Sequence, residues 1–197
     1  MYHFIESIRV EDGRIPLLDH HQNRMDRTLF HYGKNTGPSL KDLIHVPENR
    51  QEGITKCRVI YSLDKVIQIE FLPYQVRKIH SVSLFDIGDR TYPFKFSDRA
   101  WIEDVLRKSG TEEVIMHQKG RITDASYANL VFFNGDRWVT PIAPLLHGVR
   151  RQTLLLDGII SEEELTTDDL SGFSHVKLIN AMMTWEESPV LDLHDLS

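Results

Sequence analysis

Hydrophobic and polar positions alternate along YHFIESIRV, which predicts a strand. EDGR follows as a turn in which Gly13 can take positive φ. A helix is predicted over HHQNRMDRTLFHYG, with Asp19 as its N-cap and Gly33 as its stop. Residues 34–52 are weakly patterned and hold one short helix around SLKDLIH. KCRVIYS and VIQIEFLP, joined by LDK, predict a hairpin that KIHSVSLFDIG continues. DRAWIEDVLRKSG then carries a helical pattern closed by glycine. EEVIMHQ, ITDASYANLVFF and RWVTP predict strands linked by the tight turns KGR and NGD. HGVRRQTLLLDGI is a second strong helix, and HVKLINAMM a buried strand running into a polar turn. Acid-rich SEEELTTDDL reads as a solvated helix and its cap. Strand runs and helix runs mix without regular βαβ alternation, so the fold class is α+β rather than a doubly wound sheet.

Composition narrows the function classes. Hydrophobic residues make up 41% of the 197 and charged residues 26%, the balance of a globular protein with core enough to need no staples. The net charge of -6 offers no global field for nucleic acid or an anionic membrane, although a local basic pocket for a small anion fits within it. A single cysteine, Cys57, excludes an internal disulfide framework and a cysteine-based zinc site. The opening MYHFIESIRV lacks the signature of a signal peptide, and no run approaches the ~18 apolar residues of a membrane helix. The expected compartment is the cytoplasm.

Four positions can carry chemistry. Lys95 lies in YPFKFS, where Phe94 and Phe96 share one strand face and the lysine points to the other. It reads either as a solvated edge-strand lysine or, if desolvated, as an amine nucleophile toward a carbonyl cofactor. In TPIAPLLHGVRRQTLL, Gly148 stands at the mouth of a helix whose first amides can hold an anion, phosphate above all, or are simply capped. Arg150 and Arg151 strengthen that site or are exposed. Arg24, in HHQNRMDR, has the forked geometry that suits phosphate, or it pairs with an acid on the helix surface. Asp124 precedes a buried run, as a turn residue or as an acid facing a ligand. His20 and His21 are adjacent, point apart on a helix and make a poor metal pair, so no metal is assigned. No dinucleotide or P-loop glycine fingerprint and no GxSxG elbow is present.

Taken in order, these segments resemble the class IV (fold-type IV) pyridoxal-phosphate enzymes, which include branched-chain and D-amino-acid aminotransferases and aminodeoxychorismate lyase. FIESIRVEDGRIPLLDHHQNRM is similar to the family's opening strand, turn and helix, and places its phosphate-binding arginine at Arg24. FKFSDRAWIEDVL resembles the segment of the Schiff-base lysine, which falls on Lys95. ITDASYANLVFF resembles the segment whose acid lies beside the pyridine nitrogen, giving Asp124 followed by Asn129 and Leu130. TPIAPLLHGVRRQTLL is similar to the phosphate-cup helix, with Gly148, Val149 and Arg150 at its entrance. KLINAMMTWEESPV matches the last active-site turn, and its Asn180-Ala181 before two methionines looks more like the lyase than the aminotransferases. The chain departs from the pattern in three ways: it begins at the catalytic strand, VIYSLDK lacks the usual threonine-arginine-glycine, and the acid is Asp where Glu is common.

The resemblance implies a two-lobed D-amino-acid aminotransferase-like architecture, shortened at the N-terminus. It divides into a smaller N-terminal α/β lobe over 1–80, a linker and strand over 81–94, and a larger lobe carrying the cofactor site over 95–197. It implies pyridoxal 5'-phosphate as cofactor, a small-molecule amino substrate and a homodimer, with no nucleic acid or membrane partner. The expected activity is conversion of 4-amino-4-deoxychorismate to 4-aminobenzoate and pyruvate, a step of folate biosynthesis. The alternatives are a class IV aminotransferase acting on branched-chain or D-amino acids and a non-catalytic protein on the same fold. Arg58 and Arg99 are candidates for the substrate carboxylate, or else ion-paired structural arginines.

Overall fold

The computed structural model describes residues 2–193, and no helix among them is long and apolar enough to cross a membrane. The chain forms two units, one from Met1–Gln75 with Phe94–Asp98 and one from Val76–Pro93 with Arg99–Ser197.

In the first unit, β1 (Phe4–Glu11), β2 (Ile54–Tyr61) and β3 (Val66–Pro73) form an antiparallel three-stranded sheet in that order. Pairing of Phe4 with Tyr61, Ile8 with Cys57 and Val10 with Thr55 puts those residues on one face. Helix α1 (Leu18–His31) covers that face with Met25 and Leu29, and α2 (Leu40–Leu43) adds Leu40. Burial pushes the Cys57 thiol up to about 12, so it behaves as a small apolar side chain. Ser39 caps α2 by accepting the Asp42 amide. Asp19 caps nothing: the N-cap of α1 is Leu17, and Asp19 sits inside the first turn, where its charge favours the helix dipole.

Phe94–Asp98 returns to this unit beside β1. The Ile5 amide donates to the Lys95 carbonyl at 2.9 Å, the Ser97 amide to the His3 carbonyl at 2.8 Å, and Phe96 bridges Phe4. Phe94 and Phe96 both pack against Phe4, so the two rings around Lys95 anchor its backbone to the apolar face.

The second unit holds β4 (Val82–Asp86), α3 (Ala100–Ser109), β5 (Glu113–Gln118), β6 (Arg121–Ala125), β7 (Asn129–Phe133), β8 (Trp138–Pro141), α4 (Val149–Leu156), β9 (Ser161–Glu163), β10 (His175–Ile179) and β11 (Val190–Asp192). Its sheet runs β11-β10-β7-β6-β5-β4, with β8 joined to β7 and β9. KIHSVSLFDIG does not continue the hairpin of the first unit: β4 pairs in parallel with β5. Nor is SEEELTTDDL a solvated helix. Ser161–Glu163 pairs in parallel with β8, Leu165 is buried, and Thr166 with Asp169 forms a capping box on the short 3-10 turn Thr167–Gly172. Tertiary pairing with an open strand edge outweighs the weak helical preference of those acids. Helix α3 ends as expected, at Gly110 with a φ of 71°.

Arg151 is the most deeply buried cation of the second unit, 1% exposed. Its Nε donates to Thr140 Oγ1 at 3.2 Å, and its Nη2 to the Pro141 carbonyl at 2.8 Å and Glu162 Oε1 at 2.6 Å. It ties α4 to β8 and β9 and is not an exposed partner of Arg150. We predict that Arg151→Ala costs about 3 kcal/mol in urea unfolding, because it strips partners from buried acceptors. Glu162→Gln, at the more exposed end of the pair, costs under about 1 kcal/mol.

Candidate functional site

In the first unit lie Lys95 and Arg24. Lys95 is half-buried and lies in a tight turn, not the expected strand: the Phe96 amide donates to the Phe94 carbonyl at 2.9 Å, and the two flanking rings pack on the core of the unit. Arg24, 8% exposed, points under α1 to a carboxylate that sequence reasoning passed over, Glu6. Arg24 Nε donates to Glu6 Oε1 at 2.9 Å, and its Nη2 makes a short bond to Glu6 Oε2. His21 Nδ1 lies 2.6 Å from the same Oε2. Glu6 occupies the apolar register between Phe4 and Ile8 and is fully buried. Burial alone would raise its pKa, but the Arg24 charge and the His21 hydrogen bond hold it at about 2. Burial lowers the pKa of His21, with Glu6 opposing and Arg24 and Lys95 assisting. Two signals could have exposed this cluster: an acid in a strand face otherwise apolar, and the i, i+3 spacing of His21 and Arg24, which puts both on one side of α1.

The second unit holds a knot around Asp124. The tract ITDASYANLVFF is two strands, not one, broken between Ala125 and Asn129. Asp124 pairs with Asn129 across the break, and the Ala125 amide donates to the Ala128 carbonyl at 2.9 Å. Glu113, also fully buried, clamps the turn: it accepts from the Ser126 amide at 2.8 Å, from Ser126 Oγ at 2.9 Å and from Arg77 at 3.3 Å. Arg99 donates to the Ser126 carbonyl. Asn129 Nδ2 donates to Asp124 Oδ1 at 2.6 Å and to the Leu146 carbonyl at 2.8 Å, while the Leu146 amide donates to Asp124 Oδ2 at 2.9 Å. A Cβ on Gly148 would lie 2.0 Å from Asn129 Oδ1, so only glycine lets α4 start there. Burial pushes the Asp124 carboxyl up to about 6, against the Leu146 amide and Asn129, which lower it.

The Leu146–Gly148 stretch leads into α4, whose N-cap, Gly148, supplies no side chain to its first turn, whereas Val149 is buried behind it. Asn180 follows β10 directly. Its Oδ1 accepts the Met182 amide at 2.8 Å, and both Met182 and Met183 are buried, which fixes the Asn180-Ala181 turn. Lys177 steadies the far side of that turn by donating to the Trp185 carbonyl at 2.8 Å. Arg58, the other carboxylate candidate, lies opposite Ser7 in the first unit and pairs with Glu70 at 2.7 Å.

The donor set suits pyridoxal phosphate. Each Asp124 oxygen accepts one described hydrogen bond and retains acceptor capacity for a pyridinium N–H. The uncapped first turn of α4 suits a phosphate. Within the second unit the structure brings Asp124, Asn129, Gly148 and Val149 together, with Arg150 next along α4, and Asn180 and Ala181 on the turn after β10. Within the first it gathers Arg24 with Glu6 and His21, and places Lys95 beside Ile5.

A profile for the amino-transferase class IV family matches residues 95–187. An uncharacterized protein of Haemophilus influenzae is 34% identical over 186 residues, spanning 92% of this chain and 98% of its own length. A Schizosaccharomyces pombe protein provisionally named aminodeoxychorismate lyase is 26% identical, over 86% of this chain and 82% of its own. Among solved structures, a provisionally named 4-amino-4-deoxychorismate lyase from Haemophilus somnus has a TM-score of 0.84 at 29% identity, covering 92% of this chain and 97% of that one. A hypothetical aminotransferase from Mycobacterium tuberculosis in its PLP-bound form has a TM-score of 0.79 at 18% identity and shares the fold.

Between the ordinary carboxyl range and about 6, folded Asp124 keeps a proton that the unfolded chain has lost. Stability from this group therefore falls as pH rises through that window and is flat above it. The unfolding free energy of the wild type relative to Asp124→Asn should drop by on the order of 3 kcal/mol between pH 4 and 6.5. A difference that is level or rises over that range contradicts a raised Asp124.

Proposed function

The chain belongs to the amino-transferase class IV family, and from that premise we propose that it is a pyridoxal-phosphate-dependent lyase converting 4-amino-4-deoxychorismate to 4-aminobenzoate and pyruvate. The observation that carries the cofactor assignment is the buried Asp124 knot, an acid fixed by two donors with acceptor capacity left over. The lyase assignment rests on the provisional lyase names of two relatives and on Asn180-Ala181 backed by buried Met182 and Met183.

When bound, the cofactor supplies a protonated ring that draws in the electrons released as a bond to the substrate carbon breaks. The roles of this chain's residues follow from their chemistry. Lys95 would be the amine that holds the cofactor at its carbonyl carbon, and its free amine would take the proton from the aminated ring carbon of the substrate. The enolpyruvyl C–O bond would then break, the enolpyruvate would take up a proton in balance with the one removed and leave as pyruvate, and aromatisation of the ring would drive the step. Asp124 would hold the proton on the ring nitrogen, because an opposite charge within ~4–6 Å favours the charged form. Asn129 and the Leu146 amide keep its carboxylate in one orientation. Arg24 and the first turn of α4, at Gly148, Val149 and Arg150, are the phosphate contacts.

An aminotransferase would use the same residues but would return a proton to the cofactor carbon and need a keto acid. Incubation with 4-amino-4-deoxychorismate and no keto acid separates the two. Pyruvate and 4-aminobenzoate formed in equal amounts support the lyase; strict dependence on a keto acid contradicts it. Borohydride treatment should leave a pyridoxyl group on Lys95, and Lys95→Ala should lower turnover by roughly 10³-fold or more. A modified lysine elsewhere overturns the assignment of Lys95.

A further inference from the structure

The Glu6 cluster contains a feature that Arg24 alone does not require. His21 is fully buried, and its Nε2 is a buried ring nitrogen with no hydrogen-bond partner among the described residues. Such groups are rare, because each forfeits its hydration without return. The rest of the cluster decides which form the ring takes. Glu6 is ionised, so the 2.6 Å contact is Nδ1–H donating to Oε2, and Nε2 carries a lone pair. Arg24, one turn along α1, donates to both oxygens of the same carboxylate. One buried acid thus orients an arginine and a histidine side by side on one helix face.

Resting on the cofactor reading above, we propose that His21 is a second contact for the cofactor phosphate, with Nε2 taking up a proton as the dianion binds while Glu6 holds Nδ1. The charge arithmetic favours this. The groups acting on the ring are Glu6 from β1, Arg24 from α1 and Lys95 from the segment beside β1, and Tyr61 on β2 adjoins Glu6. The Glu6 and Arg24 charges oppose one another at the ring, which leaves Lys95 as the further charge a second cation would meet, and burial keeps the imidazole neutral. A phosphate dianion reverses that balance. The imidazolium then donates from both nitrogens, to Glu6 and to phosphate, and the orphaned atom gains its partner. Glu6 is accordingly a positioning residue, acting through Arg24 and His21 without touching the anion.

The test is proton counting. Pyridoxamine 5'-phosphate, which has no carbonyl to react with Lys95, is titrated calorimetrically into apo-protein at pH 8 in two buffers of different ionisation enthalpy. The wild type should take up about one proton per ligand, as expected when one group's pKa rises through the ambient pH on binding. His21→Gln should lose that uptake and bind about 10-fold more weakly, the worth of one charge-assisted hydrogen bond. Glu6→Gln keeps the ring but removes its counter-charge, and should also lose the uptake. Pyridoxamine, which lacks the phosphate, should bind all three proteins alike and without uptake. Binding by the wild type with no proton uptake, or uptake undiminished in His21→Gln, overturns this inference and leaves the cofactor reading standing. No binding by the wild type overturns both.

Discussion

A buried carboxylate must be surrounded by donors or lose its charge, and Asp124 shows how that constraint shapes the second unit. The donors within reach are the amide of Leu146, with that of Leu145 beside it, and the side chain of Asn129. To supply the second, the chain must reverse between Ala125 and Asn129, and Glu113 with Ser126 makes that reversal rigid. To supply the first, the segment leading to α4 must pass close by, which leaves room only for glycine at position 148. The start of α4 is therefore placed by the same knot that holds the acid. The acid and the open helix N-terminus become parts of one rigid construction, the parts that the proposed function would use for a pyridinium and a phosphate.

The first unit solves a similar problem with the opposite electrostatic outcome. Glu6 is as buried as Asp124, yet Arg24 and His21 pull it down to about 2, whereas the hydrogen-bond donors to Asp124 are neutral, Arg151 acts on it only through space, and it rises to about 6. The contrast matters chemically. Glu6 stays charged at any working pH and can serve as a permanent anchor for cationic groups. Asp124 is held closer to neutrality, so a nearby cation makes a large difference to its charge state. A group that is to exchange influence with a bound ring gains from being poised in that way; an anchor does not.

Much of this was legible in the sequence. The α+β class, the hairpin of β2 and β3, and helices α1, α3 and α4 follow from periodicity and from glycine stops. Lys95, Arg24, Asp124 and Gly148 stand out through residue type and order along the chain. What escaped was long-range. β4 reads locally as a continuation of the hairpin, but its partner is β5, and no local pattern specifies that pairing. Ser161–Glu163 is acidic and short, and becomes a strand because β8 offers it an edge. Glu6 was hidden by the strength of the surrounding strand pattern, since its partners lie 15 and 18 residues away on a helix. The ion pair of Arg151 with Glu162 is likewise settled by tertiary packing, not by its neighbours in sequence.

The ring nitrogen of the bound cofactor reports most directly on the role assigned to Asp124. Protein reconstituted with ¹⁵N-labelled pyridoxal phosphate can be followed by nitrogen NMR at pH 8. A protonated-nitrogen shift in the wild type that moves to the unprotonated position in Asp124→Ala is the predicted result. An unprotonated nitrogen in the wild type, or a shift indifferent to Asp124, would contradict the account.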